Sequence, residues 1–189
     1  MKTIIKIILV LTVSMVSTSG VNNGIINKVN VDNKASNNEL LVLNEEVVEP
    51  EIVFDGLTME QLSSKIERNL NSDISGYGEV FATKSIELGL DPYLAVSIML
   101  HETGCKWNCS SLMRKCNNVG GMKGSPGCNG GPYKRFNTLD EGIDAFLNNL
   151  YNNYYAKGYT TPEQIGARYA EDPAWPSKIN KYINEIRNS

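Results

Sequence analysis

Residues 91–107 read DPYLAVSIMLHETGCKW, a nearly continuous apolar segment that ends in a single carboxylate, Glu102. Asp91 is a favourable helix N-cap, and Pro92 suits the first helical position, where its missing N–H needs no partner. Gly104 can adopt the left-handed conformation that ends a helix. The stretch therefore predicts a helix that is apolar on almost every face, with Glu102 in its last turn.

Glu102 continues an apolar stripe of this helix, because Ile98 lies four positions earlier and Met99 three. Desolvation and the negative end of the helix dipole both favour the protonated form of a carboxyl group in that place. A carboxyl group that is protonated near neutral pH can act as a general acid. The alternative from position alone is a half-buried Glu that is paired with a Lys or Arg elsewhere.

The N-terminus has the pattern of an export signal. Lys2 and Lys6 precede an apolar run over residues 7–16, and small residues follow at 17–20. Because this run is shorter than the roughly 20 residues of a membrane span, we interpret residues 1–20 as a secretory signal peptide, with an uncleaved anchor as the alternative. We therefore expect a secreted, extracellular protein with no membrane contact beyond that possible anchor.

Residues 21–56 are rich in Asn and Val and collect acidic residues near their end, which predicts a flexible acidic spacer. A short strand over 39–43 is the alternative for part of it. Residues 57–189 are long enough for one compact domain, in which fourteen Lys and Arg balance fourteen Asp and Glu. The net charge of −3 thus comes from the front of the chain. This balance argues against nucleic-acid binding. As a separate expectation, the protein is a monomer.

Helix signals dominate residues 57–189. Two capping-box pairs precede apolar residues at helical spacing: Thr58 with Gln61, and Thr138 with Glu141. Thr161, Pro162 and Gln164 start another helix that reaches about Ala170. Further helices are predicted over about 77–88 and from Trp175 onward. Between Cys105 and Phe136, six Gly residues and short apolar steps predict a loop region or a small hairpin lobe. The predicted fold is mainly α, with one Gly-rich lobe directly after Glu102.

Four cysteines lie in this lobe: Cys105, Cys109, Cys116 and Cys128. They allow three pairings, and the sequence does not choose among them. Two disulfides are the default in an exported protein, where they hold a segment with little apolar material. A zinc site fits less well because the spacing matches no usual zinc pattern, and a Cys nucleophile lacks a third orienting group beside His101. We expect neither a metal nor another cofactor.

No Asp or Glu occurs between Glu102 and Asp140. Glycoside hydrolysis ordinarily uses two carboxylates, so the lobe does not supply the second one. Asp140 and Glu141 are explained as first-turn residues of a helix, which leaves Asp172 as a candidate. Flat aromatic rings, which can stack on sugar faces, occur in the lobe and around Asp172: Trp107, Tyr133, Tyr169 and Trp175.

Several separated blocks occur in a specific order: PYLA at 92–95, HETG at 101–104, NNVGGMKG at 117–124, YKRF at 133–136, EGI at 141–143 and YAEDPAW at 169–175. Together they resemble the glucosaminidase domain of glycoside hydrolase family 73, and the resemblance covers essentially all of residues 57–189. It implies a lysozyme-like α+β fold, with a helical lobe and a small cysteine-stapled β or loop lobe over a cleft. It also implies cleavage of the β-1,4 bond after N-acetylglucosamine in cell-wall peptidoglycan.

Carried over position by position, Glu102 matches the family's catalytic acid and Tyr169 its active-site tyrosine. The Asn-Asn and Gly-Gly-Met-Lys-Gly run matches the strip of cleft wall that faces the acid, which implies that Asn118, Gly121, Met122 and Lys123 bind the glycan strand. Tyr133, Asp172 and Trp175 are further candidates for binding it, on the grounds of residue type and position given above. The chain departs from the family pattern at Val119 and Gly120, where many members have an aromatic residue. It also lacks the second carboxylate that some members place in the lobe.

The missing carboxylate leaves two routes for hydrolysis with Glu102 as the acid. The substrate's own 2-acetamido group could act as the nucleophile, or Tyr169 and Asp172 could orient a water molecule. A lytic transglycosylase or a muramidase of the same fold, and a non-catalytic cell-wall-binding module, are the alternative functions.

Overall fold

The computed structural model describes residues 50–189, apart from the side chain of Ser72. The predictions of a signal peptide over 1–20, a possible strand over 39–43 and most of the spacer lie outside the described residues. Within the described part, the chain forms two short strands and seven α-helices. Their bounds are β1 Ile52–Phe54, β2 Leu57–Thr58, α1 Met59–Glu67, α2 Gly78–Glu87, α3 Pro92–Thr103, α4 Ser111–Cys116, α5 Leu139–Asn153, α6 Pro162–Tyr169 and α7 Trp175–Arg187.

Helix α3 is the central element of the core. Of its twelve residues, only His101 and Glu102 are not buried. The Asp91 carboxylate accepts hydrogen bonds from the backbone N–H groups of Tyr93 and Leu94 at 2.8 and 3.1 Å, and Gly104 ends the helix with a φ of 70°. The predicted caps are therefore confirmed, and α3 packs against α2 and α7 as a helix that is buried on nearly all sides.

Helices α1, α2, α5, α6 and α7 begin close to where the sequence predicts. Helix α1 packs along α2, and α6 packs on α7. The capping boxes of Thr58 with Gln61 and Thr161 with Gln164 are both complete. At α5, Thr138 caps the Glu141 N–H, but the Glu141 carboxylate accepts from the backbone N–H of Asn137 instead of closing the box. The structure is thus mainly helical, as predicted.

Strands β1 and β2 form an antiparallel hairpin within and just after the stretch that the sequence analysis assigns to the spacer. Ile52 pairs with Thr58, and Phe54 pairs with Leu57. Asp55 and Gly56 make the two-residue turn with positive φ values of 49° and 74°, which is the conformation that favours Asp-Gly in tight hairpins. The sequence analysis missed this turn because it assigned residues 21–56 to a spacer from their overall composition. The ring of Phe54 meets that of Tyr93 edge-on at 5.1 Å, which holds the hairpin against α3.

The Gly-rich lobe contains one helix that the sequence analysis did not predict. Helix α4 begins at Ser110, whose hydroxyl accepts from the Met113 N–H at 3.3 Å, and ends at Asn117 in a left-handed conformation. With only six residues, it is too short to produce a helical period in the sequence. The rest of the lobe is held by two isolated antiparallel bridges, Lys123 with Tyr133 and Gly127 with Lys134. The prediction of a small hairpin lobe is therefore correct but incomplete.

Two disulfides staple the lobe, and they settle the pairing that the sequence leaves open. Cys105 is bonded to Cys109, and Cys116 is bonded to Cys128. The first closes the chain directly after α3, and the second ties the end of α4 to the loop before the Lys134 bridge. Since all four cysteines are paired, neither a cysteine nucleophile nor a cysteine zinc site is formed. No helix among residues 50–189 has the length and apolar character to cross a membrane.

Candidate active site

A cleft of about 680 Å³ lies between the Gly-rich lobe and the helical lobe. The lobe side contributes Gly120, Gly121, Met122, Lys123, Lys134 and Phe136, and the helical side contributes Glu102, Ala145, Asn149, Asn152, Asn153, Tyr154 and Tyr169. The last turn of α3, the polar face of α5 and the end of α6 thus meet one strip of the lobe. The structure brings together Glu102, Tyr169, Gly121, Met122 and Lys123 from the predicted set.

Glu102 reaches the cleft from the last turn of α3, where its side chain is open to water. It forms no ion pair with any residue in the range 50–189, so the alternative of a Glu paired with a Lys or Arg does not describe it. The surrounding protein still removes enough solvent to raise the pKa of Glu102 above its ordinary value of 4.5. Its environment therefore favours the proton-carrying form that a general acid requires.

Tyr169 and Trp175 contact Glu102 from the α6–α7 side. Their polar groups oppose the effect of desolvation and lower the pKa of Glu102 in part. The Trp175 indole N–H is buried and meets no acceptor at hydrogen-bond geometry within the described residues, so we regard it as a nearby dipole and not as a formed bond. The two rings lie 5.0 Å apart at 33°. Trp175 is 2% exposed and supports Tyr169 from beneath instead of lining the cleft.

Gly166 explains how Trp175 comes so close to α6. An added Cβ at Gly166 would lie 2.9 Å from Cε3 of Trp175 and 3.0 Å from Cγ of Pro176. Both contacts are tighter than van der Waals packing allows. The glycine at this position of α6 therefore allows the Trp175 ring to pack against Tyr169, near Glu102.

Gly120 and Gly121 form the part of the lobe that faces the acid. A Cβ at Gly120 would lie 2.5 Å from Cδ2 of the buried Phe146 ring. Gly121 has a φ of 61°, and a Cβ there would lie 3.6 Å from Oε2 of Glu102. The two glycines therefore keep the backbone close to α5 and leave the space beside the Glu102 carboxylate free for a substrate atom.

Asn118 holds this glycine turn in place from behind. The side chain is 1% exposed, so it is not a contact of the cleft. Its amide nitrogen donates to the backbone oxygens of Met122 and Lys134, both at 2.8 Å. Its oxygen accepts from the N–H groups of Met122 at 3.0 Å and Gly120 at 3.4 Å. Asn118, implied by the resemblance to bind substrate, is instead placed where it positions the residues that do line the cleft.

Replacing Asn118 with Ala removes all four bonds from a buried position. We expect the free energy of unfolding to fall by about 2 kcal/mol, and wall-degrading activity to fall about tenfold even where the protein is fully folded, because the Gly121 turn loses its fixed distance from Glu102. Thermal unfolding and kcat well below the melting temperature measure the two effects. Asn108→Ala, at an exposed Asn of the same lobe, is the control. An unchanged kcat in Asn118→Ala would contradict the positioning role.

Two further predicted residues do not line the cleft. Tyr133 is 41% exposed and takes part in the lobe through its bridge with Lys123. Asp172 accepts from the Ala174 N–H at 2.8 Å and from Lys178 at 2.7 Å. The hydrogen bond from Lys178 is the main reason that the pKa of Asp172 lies below its ordinary value. Asp172 thus organises the turn between α6 and α7.

The sequence analysis missed the wall that α5 contributes. Ala145, Asn149, Asn152 and Asn153 occupy positions i, i+4, i+7 and i+8 of this helix, which places them on one face. This stripe of small and amide side chains is the sequence signal that could have indicated the wall. The apolar stripe of the same helix predicts only the face that packs in the core. Tyr154 also lines the cleft, with its ring 5.8 Å from that of Tyr169.

Among residues 50–189, Glu102 is the only carboxylate that lines the cleft. Two acids of α5 are engaged elsewhere, since the Glu141 carboxylate accepts from the Asn137 N–H and Asp144 pairs with Lys84 at 2.7 Å. The same described range contains no group of three or more His, Cys, Asp or Glu side chains that could hold a metal ion. The chemistry of the cleft therefore has to be derived from one carboxyl group and its neutral and cationic neighbours.

A mainly helical domain with a small disulfide-linked lobe over a cleft is a lysozyme-like α+β fold. The glucosaminidase family model, described as mannosyl-glycoprotein endo-beta-N-acetylglucosaminidase, matches residues 78–188, so the chain belongs to this family. At the level of the family, it is a glycoside hydrolase that acts on peptidoglycan. A search of curated protein sequences found no match to the chain.

Proposed function

We propose that this protein hydrolyses the β-1,4 glycosidic bond after N-acetylglucosamine in bacterial peptidoglycan, with Glu102 as the general acid. The observation that carries the proposal is that Glu102 is the sole carboxylate of the cleft among the described residues, in surroundings that raise its pKa. A single proton donor suffices where the substrate supplies its own nucleophile. N-acetylglucosamine carries such a group, the 2-acetamido substituent, directly beside the bond to be cleaved.

In the proposed mechanism, Glu102 gives its proton to the glycosidic oxygen as the bond from that oxygen to C1 breaks. The carbonyl oxygen of the 2-acetamido group attacks C1 and closes a cationic oxazolinium ring, which faces the Glu102 carboxylate. A water molecule then opens the ring at C1 and gives a proton back to Glu102. The acid is regenerated, and the new reducing end keeps its original configuration.

Tyr169 is suited to orient the acetamido group. Burial and the charge of Glu102 raise the pKa of its hydroxyl, so the hydroxyl stays protonated and can donate a hydrogen bond throughout the neutral pH range. The other route, a water molecule oriented by Tyr169 and Asp172, would require Asp172 to give up its contacts with Lys178 and Ala174. The geometry therefore favours the substrate-assisted route.

Mass spectrometry of digested purified peptidoglycan tests the proposal. Reducing N-acetylglucosamine ends are the expected product. Anhydro-muramic ends would replace the proposal with a lytic transglycosylase, and reducing muramic ends with a muramidase. Sedimentation with cell walls and no release of soluble fragments at any pH would replace it with a non-catalytic binding module.

We further propose that the protein works as a monomer at the cell wall, outside the membrane. Its family acts on peptidoglycan, which lies in that compartment. The two disulfides are typical of proteins in an oxidising, extracytoplasmic environment. Fractionation of cells, with non-reducing electrophoresis of the wall fraction, tests this location.

A further inference from the structure

Two lysines lie on the lobe side of the cleft. Lys123 and Lys134 both line it, and they belong to adjacent segments because Lys123 forms a bridge with Tyr133, the residue before Lys134. The backbone N–H of Lys134 also donates to the Met122 oxygen at 2.8 Å. The two ammonium groups are thus carried by one rigid part of the lobe.

Neither lysine has an anionic partner among residues 50–189, where the four ion pairs use Lys84, Lys106, Lys178 and Arg187. Lys123 is exposed, and the ammonium group of Lys134 lies 5.0 Å above the Phe136 ring. Although the charges of residues 57–189 balance as a whole, this side of the cleft carries two lysines without an ion-pair partner, which favours an anionic ligand.

The opposite wall has a different chemistry. Asn149, Asn152 and Asn153 on α5 offer amide groups, which hydrogen-bond neutral sugar hydroxyls and acetamido groups but carry no charge. A glycan strand between the two walls would therefore meet neutral donors and acceptors on one side and positive charge on the other. This asymmetry suits a glycan strand in which some sugars are neutral and others carry a negatively charged substituent.

We propose that Lys123 and Lys134 form a subsite for a carboxylate that the substrate strand carries on its muramic acid residues. This inference rests on the proposed function and adds to it the substrate feature that the cleft recognises. N-acetylglucosamine is uncharged, whereas muramic acid carries a lactyl carboxyl group, either free or extended by a peptide with carboxylates of its own. The lysines would thus distinguish peptidoglycan from neutral N-acetylglucosamine polymers with the same β-1,4 linkage.

The experiment compares two preparations of one glycan. Peptide-free strands with free lactyl carboxylates are tested against the same strands after their carboxylates have been amidated, and phosphate polymers are removed from both beforehand. For the wild-type protein we expect KM to be about three- to tenfold lower on the charged strands, with kcat within about twofold, as suits exposed charge-assisted contacts. The double variant Lys123→Gln/Lys134→Gln should lose this preference by raising KM on the charged strands only.

A matched control separates local recognition from general charge. Lys115→Gln/Lys157→Gln removes the same charge from two exposed lysines outside the cleft, and it should keep the wild-type preference. Lys123→Gln alone, at an exposed position that makes no side-chain bond within the described range, provides the test if the double variant does not fold. A preference that appears only on strands with intact peptides would assign the recognised carboxylate to the peptide.

Two results would overturn the inference: for the wild-type protein, equal KM on charged and amidated strands both without and with intact peptides, or a preference that survives in the double variant. Failure of the proposed function looks different. If the wild-type protein cleaves neither preparation but binds the charged strands more tightly in sedimentation, and the double variant does not, the lysine subsite stands and the hydrolase proposal fails.

Discussion

Glu102→Gln is expected to lower kcat on purified peptidoglycan by about 10²- to 10⁴-fold, the range typical of losing a general acid. Gln has the size and shape of Glu but no acidic proton to give to the glycosidic oxygen. Release of reducing ends from purified walls measures the effect. Glu171→Gln, at an exposed Glu near the cleft, should leave kcat within about twofold of the wild-type value. If Glu102→Gln kept more than about a tenth of the wild-type kcat, the assignment of the acid would be refuted.

The pH dependence of the wild-type activity gives a second test of Glu102. Because desolvation raises its pKa above 4.5, the active protonated form persists above the range of an ordinary Glu. Activity should fall as pH rises through this raised pKa, so the alkaline limb of the kcat/KM profile reports Glu102. An alkaline limb at or below pH 4.5 would mean that another group titrates.

The stability of the variant follows from the same shift. A carboxyl group with a higher pKa in the folded state than in the unfolded state stabilises the fold fully below the unfolded value, and that contribution is lost as pH rises through the folded pKa. The melting temperature of Glu102→Gln minus that of the wild-type protein should therefore increase from pH 4 to pH 7. Such a gain in stability with loss of activity is common where a site holds a group in an unfavourable environment.

Local signals were sufficient to predict the helical part of the fold. Asp91, Pro92 and Gly104 fix the two ends of α3 through bonds within a few residues, and Thr58 and Thr161 fix the first turns of α1 and α6 in the same way. Capping is local physics, so a sequence reveals it. Glu102 could be selected for the same reason, because its place in the last turn follows from counting along one helix.

The lobe and the cleft walls depend on contacts between distant segments. The pairing of Cys116 with Cys128 and the bond from Asn118 to the Lys134 oxygen reach across the Gly-rich segment, and neither follows from spacing. Residue types alone also assigned Trp175 and Asp172 to the substrate, although one supports Tyr169 from the core and the other binds Lys178. Lys134 was missed because only the fold brings it beside Lys123.

The single acid gives the glycine turn a particular importance. In the proposed mechanism, which has no second carboxylate among the described residues of the cleft, the acetamido group of the substrate approaches C1 while Glu102 protonates the leaving oxygen. Gly121 leaves that space open, because a Cβ at this position would lie 3.6 Å from Oε2 of Glu102 and would occupy the space itself. In this mechanism the acetamido group takes the place of a partner carboxylate, and the cleft has to leave space for it. The distance between the lobe and the helices sets that space, and α5 fixes this distance by its contact with the lobe.

Gly142→Ala is expected to destabilise the protein because α5 touches the lobe at this residue. An added Cβ would overlap the backbone oxygen of Asn117, next to Asn118, and would lie 3.6 Å from the Phe136 ring. Ala in place of Gly inside a helix normally stabilises by about 1 kcal/mol. A backbone oxygen cannot rotate away, however, so overpacking should prevail, with a net loss of about 2–3 kcal/mol in the free energy of unfolding.

Urea unfolding of Gly142→Ala measures this loss, and kcat below the transition measures its effect on the cleft. We expect kcat to fall together with stability, because moving α5 away from Asn117 also moves the Asn149 wall away from the glycine turn. Asn148→Ala, on the same helix but away from the overlap, should change stability by less than about 0.5 kcal/mol. If Gly142→Ala were as stable as Asn148→Ala, the close approach at Asn117 would not be what sets the width of the cleft.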